Sequence, residues 1–200
     1  MPALVLAAVA APPAMSSAVL VRPEDVSVKP EIIQRPEQPY AAVRGTVTMQ
    51  TFSEIADRLP ELIGSLLARG VHLAGAPFFR YTLIDMQAHL EVEAGIPTLG
   101  VIEGEGDVFG AVLPAGRYVS LTHVGHPDEL VDVTGRLLTW ADGEGLSWDK
   151  TDTDQGEQWG CRLEVLKTDP RVEPDMTQWE TDLVFRLAEQ PAGRSTSPTT

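Results

Sequence analysis

Glu164 is the residue of this chain whose type and setting best suit it to chemistry. It lies in the stretch from Trp159 to Lys167, which is rich in Val, Leu and Trp and therefore predicts a β-strand. Because side chains alternate along a strand, Glu164 shares a face with Arg162 and Leu166. The opposite face is predicted to carry Trp159, Cys161, Leu163 and Val165. A carboxylate in this setting is either a solvated residue on an outer face or a charge placed in a cavity, where it would attract a cation.

The elements that must position Glu164 follow from the periodicity of the apolar residues. The first part of the chain predicts the order strand, strand, helix, strand, strand, with strands at residues 25–35, 40–49, 78–85 and 88–95. The helix is predicted to begin at Thr51, which can form a capping box with Glu54, and to end at Gly70. Pro60 lies inside the apolar stripe of this helix, so a kink or a break is expected there.

The same order of elements recurs after Ile102, which indicates an internal repeat although few residues are identical between the two copies. Strands are predicted at residues 107–113, 117–124, 159–167 and 179–187, and a helix from Pro127 to about Asp142. Residues 146–158 are predicted to form a long loop. Trp148 in this loop either lines a functional surface or pins the loop to the body of the protein.

Composition limits the classes of partner and cofactor. The chain has 200 residues, of which 43% are apolar, and this suits one domain or two small fused halves. Its 15 Lys and Arg residues stand against 29 Asp and Glu residues, so the net charge is −14. This charge argues against direct binding of nucleic acid and favours cationic partners. The same charge is also typical of a surface whose acidic residues serve only to keep a protein soluble. The single cysteine, Cys161, excludes an intramolecular disulfide and a cysteine-based zinc site, and no cofactor is expected.

Both ends of the chain are expected to be disordered, at residues 1–24 and 189–200, which leaves residues 25–188 as the folded domain. The amino-terminal apolar run has no Lys or Arg before it, so export is not expected and a cytoplasmic location is. Met15 could equally be the natural start. No run approaches the roughly 20 apolar residues that a membrane span requires.

Other motifs fail on their spacing. The glycine cluster at residues 104–110 does not match a dinucleotide-binding fingerprint, and its acidic neighbours would repel phosphate. His123 and His126 straddle the end of a strand and the start of a helix, so they are not expected to form a metal pair. The acids at residues 152–154 suggest a calcium loop, but the twelfth position is Leu163 rather than an acid. No local signature of a nucleophilic serine is present.

Three stretches carry a family resemblance: PFFRYTLIDMQAHLEVEAGIP from Pro77, LPAGRYVSLTHVGHPDEL from Leu113 and LEVLKTDPRVEPDMTQWETDLVFRL from Leu163. In this order they resemble the GyrI-like small-molecule-binding domains, which also serve as effector-binding domains of drug-sensing transcription regulators. The resemblance implies an α+β fold with two pseudo-symmetric strand-helix-strand-strand halves, a duplicated SHS2 module, at about residues 25–100 and 101–188. It also implies antiparallel sheets with helices on one face and a ligand groove on the other.

The resemblance further implies that the groove takes flat, lipophilic and often cationic compounds. An acidic residue in the strand before Thr168-Asp169-Pro170 serves these domains as an anchor, and it corresponds to Glu164 here. Leu166 replaces the aromatic residue that many relatives have two positions after the acid. The aromatic walls of the groove are predicted to be Tyr81, Phe109 and one or more of Trp140, Trp148 and Trp159.

Three hypotheses about function follow from these residues and this resemblance. The leading one is a stand-alone protein that binds lipophilic cations, since nothing before Asp25 is long or basic enough to be a DNA-binding headpiece. The second is a hydrolase that opens strained cyclopropane rings, as some GyrI-like relatives do, with Glu164 as general base and Tyr81 as donor to the oxyanion. It requires Tyr81 to face the groove rather than the helix side with Phe79. The third, implied by the family's name, is a protein that inhibits DNA gyrase.

Overall fold

The computed structural model describes residues 29–189, which form ten β-strands and three α-helices. The strands are β1 (Glu31–Arg35), β2 (Gln38–Val47), β3 (Phe78–Ile84), β4 (Leu90–Pro97), β5 (Phe109–Leu113), β6 (Gly116–Val124), β7 (Lys150–Thr153), β8 (Gly156–Trp159), β9 (Arg162–Leu166) and β10 (Glu180–Arg186). The helices are α1 (Ser53–Ala56), α2 (Arg58–Ala68) and α3 (Leu130–Gly143). None of the helices within residues 29–189 is long and apolar enough to cross a membrane. The ends predicted to be disordered lie outside the described residues, apart from Glu189, and so does the start of the strand predicted at residues 25–35.

The helical region after β2 begins and breaks differently from the prediction. The side-chain oxygen of Thr51 accepts a hydrogen bond from the backbone N–H of Thr48 at 3.0 Å, and α1 begins without a side-chain cap. The predicted capping box is therefore wrong. The break between the two helices falls at Asp57, so Pro60 lies in the first turn of α2, where a backbone N–H would have no helical partner. Gly70, with φ of 72°, ends the region as expected.

The loop predicted at residues 146–158 is wrong because this segment contains a β-hairpin. Strands β7 and β8 pair antiparallel, with Lys150 opposite Trp159, and β8 also pairs with β3. Gly156 closes the turn with φ of 125°, a conformation that glycine adopts without steric cost. The two strands are polar and lack apolar alternation, which is why the sequence pattern does not reveal them.

The strand predicted at residues 159–167 is interrupted at Gly160 and Cys161, which separate β8 from β9. The N–H of Gly160 donates to the backbone oxygen of Asp149 at 2.8 Å. The alternation of side chains is reset across this break. Trp159 therefore packs in the same core as the strand neighbours of Glu164, whereas Cys161 packs on the other face of the sheet. The predicted side for Trp159 is wrong.

The antiparallel sheet joins two similar halves at its centre. Its strand order is β1-β6-β10-β9-β3-β4-β2-β5, with β7 and β8 attached beside β3. One half consists of β2, α1 with α2, β3 and β4, and the other of β6, α3, β9 and β10, so both have the order strand-helix-strand-strand. The halves meet where β3 pairs with β9, and their outer strands are exchanged, since β1 pairs with β6 and β5 pairs with β2. The predicted α+β fold class is confirmed.

Two apolar cores lie on opposite faces of this sheet. On one face the helices pack against the strands through Leu59, Leu62, Leu66, Val133 and Leu137, and we call this the helix-side core. On the other face Tyr40 and Tyr118 pack with residues from both ends of the sheet, including Ile33 of β1 and Leu113 of β5. The sheet therefore curls into a half-barrel around this second group, the barrel-side core.

Candidate ligand-binding site

Glu164 lies at the centre of the sheet within a row of otherwise apolar side chains. Its neighbours on the adjacent strands are Leu183 of β10 and Phe79 of β3, both members of the helix-side core. Beyond these two residues the row continues with Leu121, Ala94 and Val43. Glu164 therefore does not occupy a solvated position on an outer face of the sheet, although its side chain is partly exposed.

Glu164 lies between the helices, on the face that they cover. Helices α1 and α2 contact β2 and β4, whereas α3 contacts β6. Strands β9 and β3 lie between these contacts, so Glu164 lies on the helix-bearing face with α1 and α2 on one side and α3 on the other. A groove that uses Glu164 as its anchor would therefore lie on the helix-bearing face, whereas the resemblance implied the opposite face.

Tyr81 reaches Glu164 from the neighbouring strand. Its hydroxyl donates a hydrogen bond to Oε2 of Glu164 at 2.9 Å, and the Tyr81 side chain is buried. Phe52, just before α1, stacks on the Tyr81 ring with centroids 6.1 Å apart and also contacts Phe79. Tyr81 therefore faces the helix side together with Phe79 and also reaches the acid, because both lie on one face.

Burial changes the acid–base behaviour of this pair. Loss of water raises the pKa of Glu164, and the hydrogen bond from Tyr81 and the charge of Arg162 oppose this change only in part. Burial, reinforced by the neighbouring carboxylate, raises the pKa of Tyr81 well above its ordinary value. Tyr81 is consequently a permanent hydrogen-bond donor at neutral pH, and Glu164 is a stronger base than a solvated carboxylate.

Arg162 lies beside this pair, and its guanidinium contacts three aromatic rings. The guanidinium carbon is 4.7 Å from the ring centroid of Phe185, 5.0 Å from that of Trp159 and 5.6 Å from that of Tyr81. Its Nε is buried and forms no hydrogen bond with any described residue. Burial lowers the pKa of Arg162, opposed by the nearby Glu164 carboxylate. The sequence placed Arg162 and Glu164 on one face, but it gave no sign of the three rings.

Two of the predicted tryptophans belong to the same cluster. Trp148 packs against Trp159 and Phe185, with ring centroids 5.9 Å and 5.8 Å away. Trp148 also forms an isolated backbone bridge with Leu187, which fixes the segment before β7 to the end of β10. The structure therefore brings Trp159 next to Arg162 and places Trp148 directly behind Trp159.

Trp140 and Phe109 are not brought to Glu164. Trp140 lies on α3, where it packs partly against the helix-side core and partly lines a shallow surface hollow with Val131 and Arg136. Phe109 lies on the other face of the sheet, where its ring is 6.4 Å from that of Tyr40. Their predicted roles as walls of the groove therefore have no support from contact with the acid.

A second buried acid, Glu93, lies on the barrel side of the sheet and is only 1% exposed. Its Oε2 accepts a hydrogen bond from the Tyr40 hydroxyl at 2.7 Å, and its Oε1 accepts one from Arg44 at 2.6 Å. Arg80 donates to the Tyr40 hydroxyl at 2.7 Å and to Glu93 at 3.3 Å. Both oxygens of Glu93 are thus satisfied inside the protein, which is typical of a structural ion pair.

The two histidines near α3 each lie beside an acidic residue. Nε2 of His123 is 3.1 Å from a carboxylate oxygen of Glu129. The His126 ring nitrogen Nδ1 accepts a hydrogen bond from the backbone N–H of Asp128 and so caps the turn before α3. Within residues 29–189, no three His, Cys, Asp or Glu side chains are arranged to hold a metal ion.

Residues 28–158 match the model of the GyrI-like small molecule binding domain. The chain belongs to this family. A comparison with curated proteins gave no match.

Solved structures share the fold of this GyrI-like chain at low sequence identity. The EcmrR C-terminal domain is 17% identical over 81% of this chain and 98% of its own length, with a TM-score of 0.64. EcmrR in a complex with DNA gives a TM-score of 0.65 at 18% identity over 81% of this chain, which spans 58% of that EcmrR chain.

Two further solved structures share this fold. A hydrolase from Listeria innocua is 19% identical over 81% of this chain and 93% of its own, with a TM-score of 0.52. SAV2435, solved with bound tetraphenylphosphonium, is 8% identical over 80% of this chain and 94% of its own, with a TM-score of 0.51. At these identities the likeness shows the fold alone.

Proposed function

We propose that this GyrI-like chain captures flat, lipophilic and preferably cationic small molecules in the groove between its helices, with Glu164 as the acidic anchor. The observation that carries the proposal is the incomplete pairing of this acid. Tyr81 is the only described residue that donates a hydrogen bond to Glu164, and the second carboxylate oxygen accepts none from residues 29–189. A partly buried carboxylate with an open oxygen gains free energy when a ligand supplies a positive or hydrogen-donating group and excludes the remaining water.

The surroundings of Glu164 favour an aromatic or lipophilic ligand. Leu183 and Phe79 flank the acid across the strands, and Phe52 adds a further ring that packs against Phe79 and Tyr81. Each ring face that contacts a cation contributes about 0.5–2 kcal/mol, and each ion pair contributes more when water is excluded. SAV2435, which shares the fold, binds a lipophilic cation.

The proposal is tested by titrating the protein with tetraphenylphosphonium and with tetraphenylborate, which has nearly the same shape and the opposite charge. Quenching of tryptophan fluorescence reports binding, because Trp148 and Trp159 lie in the cluster next to the groove. We expect the cation to bind more tightly, and Glu164→Gln to weaken its binding about tenfold, equivalent to about 1.4 kcal/mol.

Glu31→Gln is the matched control, because Glu31 is also a strand residue but lies exposed on β1 at the end of the sheet. It should leave the affinity unchanged. The proposal fails if the two ions bind equally, or if Glu164→Gln and Glu31→Gln behave alike.

A second candidate function is hydrolysis of strained cyclopropane rings, and the contact between Tyr81 and Glu164 favours it. Glu164 would take a proton from water as the water oxygen bonds to a ring carbon. The ring carbon–carbon bond would break, and its electron pair would pass to a conjugated carbonyl. Once Glu164 is protonated it no longer needs the hydrogen bond from Tyr81, so the Tyr81 hydroxyl would turn to donate to the carbonyl oxygen. The raised pKa of Glu164 suits a general base near neutral pH.

This candidate is tested by incubating the protein with a spirocyclopropane-bearing compound and following the ring-opened product by mass spectrometry. Glu164→Gln should abolish turnover, and Tyr81→Phe should reduce it by at least tenfold, since one oxyanion donor commonly contributes 10²–10³-fold. Product that forms as slowly as in buffer would rule out the hydrolase and leave a binding site. Inhibition of DNA gyrase stays a prediction.

A further inference from the structure

Among the described residues, the guanidinium of Arg162 is held by aromatic rings rather than by hydrogen bonds. An arginine side chain carries five N–H donors. None of the donors of Arg162 forms a hydrogen bond or an ion pair with a described residue, and its Nε is fully shielded from water. The side chain is nevertheless held in one place by Phe185, Trp159 and Tyr81. The two terminal nitrogens of the guanidinium are not buried, so an acceptor that enters beside Glu164 can reach them and form charge-assisted hydrogen bonds.

The position of Arg162 relative to Glu164 sets the kind of ligand that could use both. The two residues are two positions apart on β9, so they point to the same face with their Cα atoms about 6–7 Å apart. Tyr81 contacts both of them, through its ring and through its hydroxyl. The groove therefore presents one negative and one positive group side by side on an aromatic surface.

We propose that the groove selects dipolar aromatic compounds, in which a cationic or hydrogen-donating group pairs with Glu164 and a carboxylate or comparable acceptor pairs with Arg162. This inference rests on the proposed function and specifies its ligand class. A ligand cation cannot use the three ring faces that the guanidinium already covers, and it is repelled by that charge. A ligand that also carries an acceptor turns this repulsion into a charge-assisted hydrogen bond.

The test uses two dyes that differ only at the group meant for Arg162. Rhodamine B carries a cationic xanthene and a free carboxylate, whereas its ethyl ester carries the same xanthene without the carboxylate charge. We expect the unmodified protein to bind rhodamine B about tenfold more tightly than the ester, because a hydrogen bond to a charged group commonly raises affinity by at least this factor. Fluorescence anisotropy of the dyes gives both dissociation constants.

Variants separate the two charged groups. Arg162→Met keeps an apolar side chain against the rings and should bring the ratio of the two dissociation constants close to one. Arg162→Lys should retain part of the preference, since an ammonium keeps the charge but not the planar donor fork. Glu164→Gln should weaken the binding of both dyes. The dissociation constant of the ester should stay larger than that of rhodamine B.

The results distinguish this inference from the proposed function. If the ester binds as tightly as rhodamine B, or if Arg162→Met leaves the ratio unchanged, Arg162 is a structural group and the inference is wrong. If both dyes nevertheless bind more weakly to Glu164→Gln than to the unmodified protein, the proposed function stands. If neither dye binds, both proposals fail. The ratio in the unchanged protein decides the question even if Arg162→Met does not fold.

Discussion

At the scale of single residues, two acids within the sheet, the buried Glu93 and the partly buried Glu164, differ in how their charges are satisfied. Glu93 is surrounded by Tyr40, Arg44 and Arg80, so its burial is offset inside the protein. Glu164 receives one hydrogen bond, from Tyr81. Because folding leaves Glu164 short of partners, its contribution to stability should depend on its protonation state, and the direction of that dependence can be measured.

The stability of the unmodified protein relative to Glu164→Gln should fall as pH rises from about 4 towards neutral. Burial raises the pKa of Glu164 in the folded protein above its ordinary value of about 4.3, so the folded state holds a proton that the unfolded state has lost. Below the ordinary value both states are protonated and Glu164 imposes no penalty. As pH rises through that value towards the folded pKa, folding must retain a proton or bury a charge, and stability is lost.

Urea denaturation at a series of pH values would measure this difference in the free energy of unfolding. The other carboxylates are common to both proteins and cancel in the difference, while Tyr81 and Arg162 face Glu164 in both. Glu31→Gln again serves as the control, because Glu31 lies exposed on the edge strand β1. A difference that instead grows in favour of the unmodified protein with rising pH would show that Glu164 is stabilised as an anion.

At the scale of elements, the break between β8 and β9 decides which side chains reach the groove. Trp159 faces Arg162 only because the alternation is reset at Gly160. Gly160 lies so close to Asp149 that a Cβ atom would clash with the Asp149 carboxylate. That carboxylate is held by Arg186 at 2.6 Å, so it is not free to move aside.

Gly160→Ala should therefore destabilise the protein by about 1–3 kcal/mol, the usual cost of forcing an extra methyl group into a packed position. It should also weaken dye binding, because the backbone movement that relieves the clash also moves Trp159. Gly64→Ala in α2 is the matched control, because a Cβ atom there meets nothing within 4 Å and alanine favours a helix by up to about 1 kcal/mol. Thermal unfolding of both variants measures the effect, and equal stability of the two would contradict this account of the break.

At the scale of the whole molecule, the site lies at the junction of the two halves. Phe79 and Tyr81 come from β3, and Arg162 and Glu164 from β9. Across this antiparallel pair Phe79 lies directly opposite Glu164. The halves thus supply different side chains to one site, an acid and a cation from β9 and a ring with a hydrogen-bond donor from β3, so neither half forms the site alone.

The sequence predicted the parts of this arrangement that depend on periodicity and on family resemblance. The order of the elements, the α+β class and the face shared by Arg162 and Glu164 follow from such patterns. The polar hairpin of β7 and β8 has no apolar periodicity in its sequence. It is held in place by the pairing of β8 with β3, which the sequence does not show. The rings around Arg162 come from three separate strands, and Phe109 is placed on the barrel side by the exchange of β5 onto β2. Such long-range pairings leave no local trace.

The overall charge of −14 and the single charge of Glu164 should act on different rate constants for ligand binding. A field that extends over the whole surface attracts a cation before contact and is screened by salt, with a Debye length of roughly 30 Å at 0.01 M and 10 Å at 0.1 M. The charge of Glu164 lies in an apolar row, so salt screens its contact with a bound cation much less. The association rate of tetraphenylphosphonium should therefore fall severalfold between these salt concentrations, while the dissociation rate stays nearly constant.

Glu164→Gln should change the other rate constant. The variant loses only one of 29 acidic residues, so the salt dependence of association should be almost unchanged. Its dissociation rate should rise about tenfold, because the contact that is lost is made only in the complex. Stopped-flow tryptophan quenching at the two salt concentrations separates the rates. A variant that loses the salt dependence of association while keeping its dissociation rate would place Glu164 in the long-range field, and the groove would then bind lipophilic compounds without an acidic anchor.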